Sequence, residues 1–254
     1  MRLVRRIYTL YVALLYLASF LLMFPFFLAC IWIPGMKPYG RKINRLWAKV
    51  YFFLIFLPVK QVGRNHIQKN QPYIFVANHF SYLDIAMMGF VPGDVVFIGK
   101  SSIRKVPLFG YYFKNLHIAL DRSSMRSRGE VLARAKKALD EGSSVVIFPE
   151  GGITSTRPPE LSSFKNGAFS MAIEKQIPII PITLSYNHLI LPDDGALLMN
   201  FGKGKLVFHS PIMTEGLTVK DLPEIKSRCF SIIQEQLWRD NPDGNFPNIL
   251  EKAV

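Results

Sequence analysis

Hydrophobic positions divide the chain into a continuous apolar block and a long alternating remainder. Residues 7–34, IYTLYVALLYLASFLLMFPFFLACIWIP, carry no charged side chain, and a helix crossing a bilayer needs about 20 such residues. Pro25 interrupts the run, and a proline inside a helix removes a backbone hydrogen bond and bends the axis. A second apolar stretch, LWAKVYFFLIFLPVK at 46–60, carries Trp47 and Tyr51. It is short for a crossing, so its pattern predicts an in-plane or half-inserted helix. From residue 61 short β-branched and aromatic runs alternate with amphipathic stretches. Strands are predicted at 73–77, 95–98, 116–120, 144–148, 179–184 and 205–209, and helical spacing appears at 126–141, 162–175 and 223–238. Strands alternating with helices imply an α/β fold, a largely parallel sheet flanked by helices. The expected organisation is an N-terminal two-helix membrane anchor over residues 1–60 and an α/β domain over 61–254. The tail 240–254 reads as irregular surface chain.

The charge pattern sharpens the picture of the anchor. Arg2, Arg5 and Arg6 precede the first apolar run, and Lys37, Arg41, Lys42 and Arg45 follow it. Positive charge marks the cytoplasmic side of membrane segments, so two basic flanks predict a segment that enters and returns on one side. The rest of the chain is then held at the cytoplasmic face of the inner or cell membrane. A straight crossing by the first helix is the alternative. A cleaved signal peptide fits poorly, because the run is long for its apolar region and no small-x-small site closes it.

Half of the 254 residues are hydrophobic and the formal net charge is +13. That balance predicts an anionic partner: lipid headgroups, phosphorylated substrates or an acidic carrier protein. No nucleic-acid-binding signature accompanies it, so no nucleic-acid partner is expected. Cys30 and Cys229 make neither a disulfide framework nor a metal quartet, which suits a reducing compartment. No metal site is expected.

Several motifs fail on spacing. In GDVVFIGKS five residues separate Gly93 from Gly99, where a phosphate-binding P-loop needs four. No G-x-S-x-G elbow or H-E-x-x-H helix is present. His66, His117, His188 and His209 stand isolated and read as surface or core residues.

Two stretches carry candidate chemistry. In YIFVANHFSYLDIAMM a strand ends at Ala77 and His79 lies in the turn beyond it. Ser81 and Asp84 have the S-x-x-D spacing of a helix capping box. The same spacing lets Asp84 reach back to the His79 imidazole, fixing its tautomer and strengthening it as a general base. Both readings stand on this stretch alone. In SVVIFPEGGITS a strand runs into Pro149, Glu150, Gly151 and Gly152. Glycine-rich turns form anion-binding nests of peptide N–H groups, and Glu150 at a strand end is placed to orient a polar substrate. A plain surface turn is the other reading.

Taken in order, NH-x4-D, a basic segment, FPEG and a proline-rich strand resemble the glycerolipid acyltransferase family. Its best-known members are 1-acylglycerol-3-phosphate acyltransferases, which make phosphatidic acid. The resemblance covers about residues 60–215, through Asn78, His79 and Asp84, through Lys100, Pro107, Gly110 and Arg122, through FPEG (148–151) with FKNGA (164–168), and through IPIIPI (177–182). It implies a membrane-associated O-acyltransferase that moves an acyl group from acyl-CoA or acyl-carrier protein, as substrate, to a lysolipid hydroxyl, with no cofactor. His79 would be the base and Asp84 its partner. Lys100, Arg122 and Lys165 would contact phosphate or carrier, and Glu150, Gly151, Gly152 and Thr154 would line the substrate site. One departure bears on the acceptor: the family's third block usually continues E-G-T-R-S, whereas here Ile153 stands at the arginine position. Lysophosphatidic acid is the first expectation. A lyso-aminolipid or other non-phosphate acceptor is the alternative, and so is a catalytically silent lipid-binding protein, against which the intact His79 and Asp84 argue.

Overall fold

The computed structural model describes residues 2–121 and 124–242. Helix α1 (Arg2–Trp32) runs unbroken through Pro25, where the sequence suggests an interruption. A short turn leads into α2 (Lys37–Leu54), which has a proline in its first turn. The second helix thus begins well before the apolar stretch at 46 and ends before it closes. The two helices lie antiparallel: Tyr8 Oη donates to Ile55 O at 2.7 Å, Tyr51 Oη to Val12 O at 3.0 Å and Trp47 Nε1 to Ser19 Oγ at 3.0 Å. The chain reverses direction in a full helical hairpin, at the turn after Trp32 rather than at the proline.

The remainder is an α/β unit in the order β1 (Val59–Val62), β2 (Ile74–Ala77), α3 (Leu83–Met87), β3 (Val95–Lys100), α4 (Phe109–Leu116), β4 (Ile118–Leu120), α5 (Met125–Asp140), β5 (Ser144–Ile147), α6 (Gly167–Lys175), β6 (Ile179–Leu184), α7 (Asn187–Ile190), β7 (Gly204–Phe208) and α8 (Leu222–Asp240). The seven strands form one sheet in the order β1-β7-β6-β2-β5-β3-β4. Every pairing is parallel except β6 with β7, so the largely parallel sheet expected from the alternation is present. β2 lies near its centre and is buried along its whole length, which explains its unbroken apolar run.

Three local differences have physical reasons. β1 alternates half-buried and exposed positions at the sheet edge, so its VKQV sequence carries little strand signal, and the expected boundary at residue 60 falls inside it. The run at 116–120 is shared, because α4 continues through Leu116 and leaves β4 three residues. α6 begins five residues later than its spacing suggests, since residues 162–166 run past the end of β5 and bond there: Lys165 N–H donates to Pro149 O at 2.9 Å. Within the tail, residues 243–254 lie outside the described residues.

The two faces of the sheet bury separate cores. Phe75, Ala77, Val146 and Ile182 face Tyr8, Val12, Tyr51 and Phe52 of the hairpin. Ile74, Val76, Val145 and Ile179 face α5, α6 and α8 through Val131, Phe169 and Ile233. α1 is apolar on its outer side too: Leu10, Leu14, Leu17 and Leu21 are exposed at three- and four-residue spacing. It is long and apolar enough to cross a membrane by length and composition.

Candidate active site

The site begins where β2 ends. Asn78 keeps the sheet register with its side chain: Nδ2 donates to Leu184 O at 3.1 Å and Oδ1 accepts from Leu184 N–H at 2.8 Å. The amide stands in for one more peptide unit of the ladder, and the main chain is released into a turn. The next residue, His79, is nearly buried. Its Nδ1–H donates to Asp84 Oδ2 at 3.0 Å, and its ring lies nearly parallel to Phe148, with centroids 4.2 Å apart and planes at 18°.

Asp84 is wholly buried. Besides the imidazole, Oδ2 accepts from Phe80 N–H at 2.7 Å and Ser81 N–H at 2.8 Å. Oδ1 accepts from Asn187 Nδ2 at 2.8 Å. An ionised carboxylate only accepts hydrogen bonds, so the His79 proton is assigned to Nδ1, and Nε2 keeps a lone pair. The capped helix and the His–Asp pair therefore coexist. Only half of the expected capping box forms: Asp84 takes the Ser81 N–H, whereas the Ser81 hydroxyl accepts from Leu83 N–H at 3.1 Å and donates to Leu191 O.

The FPEGG turn meets this arrangement from β5. Glu150 is almost fully buried. Its Oε1 accepts from His79 N–H at 2.8 Å and its Oε2 from Ser162 N–H at 2.9 Å. The carboxylate thus clasps the histidine turn to the incoming loop, a placement different from the substrate-facing one expected from sequence. Burial pushes its pKa up to about 7, against the lowering pull of those two N–H groups. Gly151 has φ +81°, a left-handed conformation that favours glycine, and the Lys165 side chain runs across it, Nζ lying 2.5 Å from where a Cβ would stand. Gly152 and Thr154 continue the loop, Thr154 exposed. Lys100 is exposed at the end of β3, in no recorded contact with His79 or Asp84. Arg122 lies outside the described residues.

Asn187 has no place in the sequence reading. Its only signal is position, one amide just beyond the end of β6, the strand paired with β2. His188 is buried edge-on to Phe80, 5.7 Å away, and burial lowers its pKa to about 4. Burial likewise takes His117 to about 3 and His209 to about 4, so these imidazoles are neutral packing residues near pH 7. Among the described residues no three His, Cys, Asp or Glu side chains cluster as a metal-ligating group.

The chain matches the family model described as Acyltransferase over residues 58–185. It is similar to a chloroplastic 1-acyl-sn-glycerol-3-phosphate acyltransferase of Arabidopsis thaliana, 31% identical over 180 residues, 69% of this chain and 50% of that protein. It is also similar to the human 1-acyl-sn-glycerol-3-phosphate acyltransferase alpha, 32% identical over 212 residues, 80% of this chain and 73% of that protein. The chain spans about half the length of the chloroplastic relatives it matches. The crystal structure of PlsC, the 1-acyl-sn-glycerophosphate acyltransferase of Thermotoga maritima, superposes with a TM-score of 0.75 over 92% of this chain and 97% of that one. At 23% sequence identity this likeness speaks to the fold.

Two predictions follow from the hydrogen bonds of the two carboxylates. Asn187→Leu removes, among the described residues, the sole donor to Asp84 Oδ1 from a buried carboxylate, and is expected to cost about 1–3 kcal/mol, read by chemical denaturation; an unchanged midpoint would show the bond to be dispensable. Glu150 holds its proton in the native state from the ordinary value of 4.5 up to about 7, a window in which the unfolded chain releases it. The stability it contributes is present in full below about 4.5 and lost as pH rises through about 7. Glu150→Gln is expected to abolish that slope of unfolding free energy between pH 4.5 and 7, while lowering stability throughout, because an amide N–H₂ faces one of the two backbone donors.

Proposed function

The chain belongs to the acyltransferase family, and on that premise we propose that it transfers a fatty acyl group from a thioester to the hydroxyl of a lysolipid. The thioester is acyl-CoA or acyl-carrier protein. The leading acceptor is lysophosphatidic acid, which gives phosphatidic acid. The observation that supports the reading is the buried His79 Nδ1–Asp84 Oδ2 bond of 3.0 Å, which assigns the ring proton to Nδ1 and leaves Nε2 with the lone pair a general base needs.

His79 Nε2 takes the proton from the acceptor hydroxyl as its oxygen attacks the thioester carbonyl carbon. The tetrahedral intermediate collapses with cleavage of the C–S bond, and the imidazolium returns the proton to the departing sulfur. The products are an oxygen ester and a free thiol, and no acyl-enzyme forms. Asp84 stabilises the transient imidazolium and holds its tautomer, and Phe148 fixes the ring plane. Glu150 acts as a positioning residue through the His79 backbone. A second acceptor class, a lyso-aminolipid or other phosphate-free lysolipid, is favoured by Ile153 at the position where the family carries an arginine, since a guanidinium matches phosphate bidentately.

The same reading seats the α1–α2 hairpin in the cytoplasmic leaflet of the membrane. Its support is the exposed Leu10–Leu21 stripe of α1 and exposed Phe53 and Phe56 at the end of the hairpin, flanked by basic residues at both ends.

His79→Ala is expected to lower transfer from acyl-CoA to lysophosphatidic acid by roughly 10²–10⁴, scored by lipid mass spectrometry with a phosphate-free lysolipid assayed in parallel. Acylation by the wild type of neither acceptor would overturn the enzymatic reading. Use of the phosphate-free lipid alone would select the second. In flotation assays the full chain is expected to rise with phosphatidylglycerol-containing vesicles, and a Leu14→Asp, Leu17→Asp, Leu21→Asp variant to stay in the soluble fraction. Equal flotation of both would remove the leucine stripe as the anchor.

A further inference from the structure

Each face of the sheet holds an apolar cavity, and both approach the His79 turn. One, of about 470 Å³, lies between the helical hairpin and the sheet. Val12, Trp47 and Phe52 line it together with Leu83 and Ala86 from the helix that carries Asp84, and no Lys, Arg, Asp or Glu is in its wall. The other, of about 300 Å³, lies on the opposite face between the sheet and helices α5 and α6. Leu120, Leu132, Ile147 and Ala168 line it, together with Phe148, whose ring stacks on His79, and its single charged lining residue is Lys165.

Lys165 is built into the rim of this second cavity. Its Cδ, Cε and Nζ lie 3.1, 2.8 and 2.5 Å from the place of a Cβ on Gly151, so the stem packs directly across the backbone of that left-handed glycine. The residue is exposed, and among the described residues no acidic side chain pairs with it. The nearby Glu150 carboxylate has both oxygens engaged by backbone N–H groups.

We propose that the cavity on the α5–α6 face binds the hydrocarbon chain of the lysolipid acceptor, with Lys165 contacting its anionic head. The proposal rests on the acyl-transfer reading and adds where each chain goes. A lysolipid carries its anion within a few bonds of its alkyl chain and so fits an apolar volume with one cation at the mouth. An acyl thioester ends its chain in a neutral carbonyl and fits the uncharged cavity beside the hairpin. The two chains enter from opposite faces of the sheet and meet at His79.

The test compares Ala168→Leu and Leu132→Phe, which fill the cavity, with Lys165→Met. Acyl-CoA donors and lysophosphatidic acids are each varied in chain length. Both filling variants are expected to raise KM for long-chain lysophosphatidic acid by roughly 10-fold relative to a short-chain one, with the donor-chain preference of the wild type retained. Lys165→Met is expected to raise KM for acceptors of either length by roughly 10-fold. A filling variant that changes donor-chain preference instead would assign the cavity to the donor and overturn the proposal. Unchanged acceptor KM in both folded filling variants would overturn it as well. A wild type that acylates no lysolipid is a different outcome, one that sinks the acyl-transfer reading itself.

Discussion

Everything near the site depends on keeping the Asp84 carboxylate ionised in a place water does not reach. A buried charge costs several kcal/mol unless it is paired and its lone pairs are occupied. Four donors meet that requirement: one imidazole, two backbone N–H groups from its own helix start and the Asn187 amide. They come from two parts of the chain, the turn after β2 and the start of α7, so the carboxylate on α3 is comfortable only when all three segments are in register. Asn78 supplies that register by pairing β2 with β6 through its side chain. The His79 orientation is therefore a property of the sheet as much as of the NHFSYLD stretch.

Glu150 extends the same logic across to β5. It grips the His79 N–H and the Ser162 N–H, which lie 83 positions apart in the numbering and on separate loops. Its raised pKa, near 7, has an electrostatic consequence. Two full negative charges so close in a buried turn would repel each other, and Asp84 accordingly adds to the upward push on Glu150. Burial favours the protonated form of Glu150 and leaves Asp84 as the ion that serves the imidazole. Lys165, crossing the Gly151 backbone, adds positive charge on the outer side of the same turn.

The α/β alternation was legible because parallel central strands are buried on both faces and read as unbroken apolar runs, as in Ile74–Ala77. β1 was not, since an edge strand half open to water has no such run. The five-residue spacing from His79 to Asp84 was legible because it lies within one turn and one helix start, where distance along the chain fixes distance in space. Asn187 reaches Asp84 across 103 positions, and only the β2–β6 pairing brings it there. Lys165 and Gly151 meet for a similar reason: residues 162–165 pass along the FPEGG turn without regular structure, where their spacing suggests the start of a helix. Glu150 was legible as a conspicuous carboxylate at a strand end. Its partners were not, because they are backbone N–H groups, which carry no residue-specific signal.

The helical hairpin links the site to its surroundings through a single structural fact: α1 is apolar on both sides. Its inner side, with Val12 and Tyr16, closes the cavity that runs to α3. Its outer side presents leucines to whatever surrounds the molecule. Water is a poor neighbour for that stripe, at about 25 cal/mol per Å² of exposed apolar surface, and the proposed membrane seat would cover it. If the hairpin needs a bilayer to stay seated, the wall of the larger cavity needs it too. A membrane seat would then also hold together the pocket that approaches the His79 turn, so that α1 would belong to the proposed anchor and the candidate site at once.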